Sequence, residues 1–220
     1  MLEATGILNY ALYWLLIILL FIFFTLQVIF RVIRHWYHFP IPALMTRIID
    51  NPFRRRFIQN PEKIVDRVNL SPGKKVVEIG PGKGSYTLAF ARRVAPDGIV
   101  YACDIQEYVI KKLSEKAKKE NVANIIAKIE DAHSFSFKDN TMDRVVALSC
   151  LAEIPEPVEV LKECRRILKP GGYVCLCELL PDPDYPLRNT EKKWASEAGL
   201  QYLEEFGNFF VYQLHFKKID

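Results

Sequence analysis

Hydrophobic and polar residues follow two regimes along this chain. From Ala4 to Phe30, 27 consecutive residues include no Asp, Glu, Lys, Arg or His. Coiled as a helix at ~1.5 Å per residue, such a run exceeds the ~30 Å of bilayer hydrocarbon, so it predicts a transmembrane helix. A cleaved signal peptide is disfavoured, because the run is too long, has no basic leader and ends without a small-x-small site. A core helix would have kept a polar face. Beyond Pro61 the pattern changes to short β-branched runs alternating with amphipathic stretches. Strands are predicted near 75–79, 98–103, 124–129, 143–148, 172–179, 200–206 and 209–216, and helices near 84–95, 106–120, 157–168 and 190–198. A further helix opens at Pro61 and ends before Ser71-Pro72-Gly73. Alternation of this kind predicts an α/β fold, a doubly wound and mostly parallel seven-stranded sheet. Gly207-Asn208 is a hairpin signal, so the last strand is expected to run antiparallel.

These patterns divide the chain into an anchor helix over residues 1–33, a linker over 34–60 and a globular domain over 61–220. Pro40, Pro42 and Pro52 break up the linker. Within it, Phe53-Arg54-Arg55-Arg56-Phe57 suits anionic headgroups, at ~1 kcal/mol per arginine, or reads as a solvated turn.

Charge sharpens the division. Residues 1–56 hold six arginines against Glu3 and Asp50, whereas residues 57–220 hold 24 basic and 24 acidic residues. The net charge of +4 therefore belongs to the amino-terminal segment. A neutral globular part disfavours nucleic acid as a partner. Arginines on the carboxyl-terminal side of the apolar run place the domain in the cytoplasm, bound to the membrane by a single pass. Trp36 and Tyr37 suit the headgroup layer. Cysteines at 103, 150, 164, 175 and 177 form no C-x-x-C pair, which reads as free thiols in a reducing compartment. His35 and His38 lack further ligands, and no metal is expected.

Candidate chemistry gathers after the first strand. Val76-Val77-Glu78-Ile79-Gly80-Pro81-Gly82-Lys83-Gly84-Ser85 reads as a buried strand, a tight glycine turn and a helix start, the geometry that holds nucleotides. A dinucleotide fingerprint spaces its glycines G-x-G-x-x-G, but here the third glycine comes one position early. Glu78 would repel a pyrophosphate, yet it suits the ammonium of an amino-acid-bearing cofactor. The E-x-G-x-G-x-G pattern resembles motif I of the class I S-adenosylmethionine-dependent methyltransferases, and the resemblance extends over roughly residues 72–216.

That resemblance implies S-adenosyl-L-methionine as cofactor, held by Glu78, Gly80, Gly82 and Gly84. Asp104, ending the second strand, would grip the ribose hydroxyls, a feature shared with NAD enzymes. Ile105 after it would lie against adenine or belong to the core. In Glu130-Asp131-Ala132 the resemblance points to Asp131 for the adenine amino group, with Ala132 beside it, while a turn cap is the plain alternative. Ser149 closes the fourth strand beside the methionine end. Leu168-Lys169-Pro170-Gly171-Gly172 resembles the family's helix stop, with left-handed glycines before the fifth strand.

A sulfonium already carries an activated methyl group, so no enzyme nucleophile is required and at most a general base acts. Glu153 and His133 are the candidates for catalysis, followed by Asp182 and Asp184. Residues of this kind are more often caps or solvated loop residues. The [N/D]-P-P-[Y/F] motif of base-methylating enzymes is missing after strand four. Residues 34–60 stand where this fold commonly caps the acceptor pocket, so a small lipophilic acceptor at the membrane is expected. The arrangement is similar to thiol, quinone and phospholipid methyltransferases. A protein or RNA methyltransferase stationed at the membrane, and a non-catalytic cofactor-binding scaffold, remain as alternatives.

Overall fold

The computed structural model describes residues 2–36, 52–180, 182 and 184–219. The chain forms two compact units, residues 1–39 and 40–220. In the first, α1 is one helix over Leu2–Trp36, ending three residues beyond the expected anchor. Its stretch Asn9–Ile33 is long and apolar enough to cross a membrane, and Leu16, Phe21, Phe24 and Val28 lie exposed along it. An apolar surface of this length left uncovered by protein is matched by lipid better than by water. The proline-broken part of the linker, 37–51, lies outside the described residues, as do Tyr37 and His38.

The second unit opens with a wide turn over Arg54–Ile58. Helix α2 follows at Pro61–Arg67, where the Asn60 side chain accepts from the amides of Glu62 and Lys63 and Pro61 occupies the first turn. The domain then alternates β1 (Lys75–Ile79), α3 (Ser85–Val94), β2 (Ile99–Asp104), α4 (Glu107–Lys119), β3 (Ile125–Ile129), β4 (Met142–Leu148), α5 (Pro157–Ile167), β5 (Leu168–Leu179), α6 (Arg188–Glu197), β6 (Gln201–Gly207) and β7 (Val211–Lys217). The strands form one sheet in the order β3-β2-β1-β4-β5-β7-β6. β1 to β5 pair in parallel, and β7 runs antiparallel between β5 and β6.

Strand periodicity sorts the core into two faces. Val77 and Ile79 of β1, Val145 and Ala147 of β4, and Val174 and Leu176 of β5 pack with Val160, Leu161 and Cys164 of α5. The alternate residues Val76, Val146, Cys175 and Cys177 pack with Ile64 and Val65 of α2 and Phe90 and Val94 of α3. Burial on both sides explains why β4 and β5 read as continuous apolar runs.

One expectation needs correction. Leu168-Lys169-Pro170-Gly171-Gly172 is not a glycine-ended helix stop: α5 ends at Ile167, Leu168 is already extended at φ −68° and ψ 139°, and the stretch opens β5. Only Gly171 is left-handed. Leu168 pairs with Met142 before a register shift, so the Pro-Gly-Gly stretch serves as an irregularity in a strand.

At the opposite end of the sheet from the glycine turn, Asp143 joins three strands. Its carboxylate accepts from the Lys75 amide at 2.8 Å, from Lys169 Nζ at 3.0 Å and from Lys74 Nζ at 3.4 Å. Burial pushes its pKa up, but these donors outweigh burial and hold it below the usual carboxylate range. A depressed folded-state pKa contributes stability above the ordinary carboxyl range that is lost as pH falls through it. Asp143→Asn is therefore expected to lower stability by about 1–3 kcal/mol at pH 7, with the gap closing in acid. Urea unfolding of both proteins at pH 7 and at about pH 2.5, below the ordinary carboxylate value of 3.8, checks this; a gap of equal size at the two pH values would contradict it.

Candidate cofactor site

β1 delivers the chain into a turn of three left-handed glycines, Gly80 at φ +65°, Gly82 at +50° and Gly84 at +71°. They differ in what a side chain would meet. A Cβ on Gly80 would lie 2.4 Å from Cys150 Sγ, and one on Gly84 would lie 2.2 Å from Leu113 Cδ1. At Gly82 no atom lies within 4 Å of that position. Two glycines thus let the turn pack, and the third leaves space over its backbone.

Glu78 lies beneath this turn, 1% exposed. Burial pushes its pKa up from 4.5 to about 7, and Thr87 and Lys116 beside it counter that only in part. Its Oε2 is buried with no hydrogen-bond partner among the described residues. A carboxylate excluded from water and left one oxygen short of a donor is a site for a cation.

The next two strands end in acids at the same edge. Asp104 closes β2, half-buried, with Oδ1 accepting from the Gln106 amide at 2.9 Å. Burial raises its pKa. Ile105 is 56% exposed, so its core reading is excluded and it presents an apolar side chain next to Asp104. After β3, Glu130 is engaged by the Ser136 amide at 2.9 Å and by Lys128. Asp131 is held differently. Its Oδ1 accepts from the His133 amide at 2.9 Å and faces His133 Nδ1 at 2.7 Å, which keep its pKa low. His133 Nε2 in turn lies 2.8 Å from the Pro155 carbonyl. Burial lowers the imidazole pKa, but these two acceptors win and raise it. With one ring nitrogen directed at Asp131 and the other at the Pro155 carbonyl, the His133 ring is held in place and is suited to orienting Asp131. Ala132 is buried at the same turn.

On the other side of β1, Ser149 ends β4 in a left-handed conformation, φ +47°, with its amide donating to Cys177 at 2.7 Å. Its Oγ accepts from Arg54 Nη2 at 3.2 Å. Sequence reasoning missed this partner. Arg54 is only 7% exposed, and its Nε and Nη2 converge on Gln59 Oε1 at 2.8 and 2.5 Å. Gln59 is buried too, reaching Cys177 Sγ at 3.6 Å while its carbonyl accepts from Tyr86 Oη at 3.0 Å. Arg55 Nη1 donates to Ser85 Oγ at 2.6 Å. The headgroup reading of the arginine triplet is corrected here: Arg56, Phe53 and Phe57 face solvent, but Arg54 turns to Ser149 after β4 and Arg55 to Ser85 at the start of α3.

Glu153, in a short turn after β4, brings a carboxylate oxygen within 4.8 Å of those of Asp182 and Asp184, which follow β5. This grouping has the spacing of a cation site, which the metal-free expectation did not foresee. Glu178 on β5 and Glu191 on α6 are fully buried beside Tyr212. Burial, and for Glu178 the charge of Glu191, push both carboxyls above their ordinary range. Two acceptors facing each other without water are stable when they share a proton.

The edge thus presents acids at the ends of β3, β2 and β1, an open backbone at Gly82 and a serine at the end of β4. An orphaned carboxylate oxygen at Glu78 fits the ammonium of S-adenosylmethionine, and acceptors at Asp104 and Asp131 fit the hydroxyls and amino hydrogens of its adenosine.

Comparison with known proteins agrees. Residues 77–176 match the family described as methyltransferase domain. The chain is 35% identical over 123 residues to demethylmenaquinone methyltransferase of Geobacillus sp. (strain WCH70), an alignment covering 56% of this chain and 53% of that protein. It is 32% identical over 153 residues to the ubiquinone/menaquinone biosynthesis C-methyltransferase of Bordetella avium, covering 64% and 59%. The chain spans about half the length of the curated relatives it matches. Among solved structures, a SAM dependent methyltransferase from Aquifex aeolicus superposes with a TM-score of 0.76 at 22% identity, over 82% of this chain and 100% of that one. A [4+2]-cyclase shares the fold at a TM-score of 0.62. In its strand order, its glycine turn with acids at 78, 104 and 131, and its match over residues 77–176, the globular part of the chain resembles a class I S-adenosylmethionine-dependent methyltransferase domain, whose fold it shares.

Proposed function

We propose that this protein transfers a methyl group from S-adenosylmethionine to a small lipophilic acceptor of the quinone type at the cytoplasmic face of a membrane. Glu78 carries the cofactor half of the reading, because its orphaned buried oxygen requires a cationic partner. The acceptor half is supported by the relatives, whose names give demethylmenaquinone and ubiquinone/menaquinone biosynthesis. The apolar helix α1 supports residence in a bilayer, where such acceptors dissolve. In this reading residues 1–33 anchor the chain, 34–60 link and cap, and 61–220 form the enzyme. The cap is supported by Arg54, which reaches Ser149 after β4, and by Arg55, which reaches Ser85 at the start of α3.

Glu78 binds the ammonium, Gly80 and Gly84 shape the turn, and the open side of Gly82 admits the ligand backbone. Asp104 takes the ribose hydroxyls, Ile105 covers the adenine face, and Asp131, oriented by His133 and followed by Ala132, accepts from the adenine amino group. Ser149 borders the methionine end. When bound, the cofactor supplies a methyl group on a positively charged sulfur. The chain's own task is to align the acceptor with that group, exclude water and take up a proton, for which Glu153 is the base.

Three outcomes test this. Full-length protein in lipid nanodiscs, given methyl-labelled cofactor and a demethylated quinol, should place label in the organic-solvent extract. Label confined to protein or RNA would overturn the acceptor reading. Gly82→Ala should cost stability only about 1–2 kcal/mol of backbone strain, yet lower cofactor affinity at least about tenfold. Gly84→Ala, forced against the fully buried Leu113, should cost about 2 kcal/mol or more of stability; thermal melts with calorimetric titration separate the two. Finally, an ammonium prefers ionised Glu78, whose proton leaves near pH 7 in the free protein. Cofactor affinity should therefore fall as pH drops below about 7, by up to about tenfold per unit, and Glu78→Gln should abolish that slope. An affinity independent of pH in the native protein would contradict the assignment.

A further inference from the structure

Among the described residues, the exposed phenylalanines of the second unit are Phe53, Phe57, Phe209 and Phe210, each between 55% and 70% exposed. They come from opposite ends of the domain sequence, yet they flank one groove. Phe57 and Phe210 both line a cavity of about 330 Å³ between the turn preceding α2 and the β6–β7 hairpin. Each has a second ring beside it, Phe53 at 5.1 Å from Phe57 and Phe209 at 5.7 Å from Phe210 between ring centres. Both turns are pinned. The Asn208 side chain accepts from the amides of Phe210 and Val211 at 2.9 and 3.2 Å, while Tyr185 Oη and Arg188 Nη2 donate to the carbonyls of Phe209 and Asn208 at 2.5 and 2.6 Å. Arg54, Arg55 and Tyr86 tie the opposite turn to the domain. Two ordered turns thus hold four rings out in water, and an apolar cluster presented this way marks a surface that meets a partner.

We infer that these two turns form the face by which the domain docks on the membrane, with the four rings set into the boundary between headgroups and acyl chains. The inference rests on bilayer residence in the reading above. Charge selects lipid as the occupant. The charged residues lining the groove are Lys63 and Arg67, and Arg56 lies exposed beside the Phe57 ring. Glu62 and Asp66, the acids of α2, are engaged by Arg93 at 3.8 and 2.6 Å. Aromatic rings bordered by cations suit a surface lying on anionic lipid. The chain itself keeps the face near lipid, because residues 37–52 join α1 to Phe53. One consequence concerns the ligand edge. Cys177, whose carbonyl holds the Ser149 amide, lines the same groove, and the hairpin begins where Val211 pairs with Leu179 at the end of β5. Docking by these rings therefore turns the end of the sheet that carries Ser149 toward the bilayer, where a lipophilic acceptor enters without crossing water.

Fluorescence quenching in the full-length protein tests this. Phe57→Trp, Phe210→Trp and Ile219→Trp, the last an exposed position beyond the opposite end of β7, are placed in nanodiscs of phosphatidylcholine and phosphatidylglycerol. The lipid is used with and without a nitroxide high on the acyl chain, and the emission of the native protein is subtracted. Nitroxide should quench the probes at 57 and 210 at least about twofold and leave the one at 219 nearly unchanged, because an interfacial face is buried ~5–10 Å into the headgroup boundary. Probes at 57 and 210 that acrylamide quenches and lipid nitroxide does not would overturn the inference. Shielding from acrylamide that grows with protein concentration in lipid-free detergent would also overturn it, since a second copy of the chain would then cover the face. The two probes report independently, so if one variant fails to fold the other decides. Protein that does not co-elute with nanodiscs would remove bilayer residence itself, and this inference with it.

Discussion

The domain depends on one buried carboxylate. Glu78 is taken out of water by the strand that carries it, under a turn whose three glycines bring no side chain to shield it. Burial pushes its pKa up from 4.5 to about 7, and Thr87 and Lys116 offset this only partly. A fold that wanted stability alone would have an apolar residue there. In the proposed function that cost is offset by a ligand that brings its own positive charge.

From that constraint the layout of the edge follows. Parallel strands β3, β2, β1 and β4 stand side by side, so their last residues form one row. Acids at or beside the first three ends, Asp131, Asp104 and the buried Glu78, and a serine after the fourth line this edge with acceptors. Separate loops hold each member: Gln106 fixes Asp104, His133 fixes Asp131, and the Cys177 carbonyl and Arg54 fix Ser149. Preorganisation of this kind spares the ligand the work of ordering its own site. The fold does not dictate the chemistry, as the [4+2]-cyclase with the same architecture shows.

Much of this was legible in the residues. β1 was expected at 75–79 and lies there, because its β-branched run is bounded by polar lysines and a glycine turn. The acids at 78, 104 and 131 were found because strand ends are marked by where apolar runs stop. What escaped depends on contacts distant in sequence. Arg54 reads as a solvated charge, and its burial is caused by Gln59 five residues on and Ser149 ninety-five residues on. Glu178 and Glu191 carry no local sign that they face each other. Leu168-Lys169-Pro170-Gly171-Gly172 misled because a glycine pair after a helix normally ends it, whereas here β4 recruits Leu168 into the sheet. The role of His133 was nearer at hand, since an Asp two residues before a His is a turn signal.

The thiols carry a different consequence. Cys103, Cys164, Cys175 and Cys177 are buried and Cys150 is half-buried, all unbonded to one another. Burial raises every one of their pKa values, those of Cys103 and Cys177 to about 12. Alkylating reagents attack the thiolate, so the folded domain is shielded by both access and protonation. Each modification event at the four buried thiols then records an opening of the domain, which makes the rate of their capture an intrinsic clock for its breathing. Cys150, whose sulfur caps Gly80, would time the glycine turn in particular.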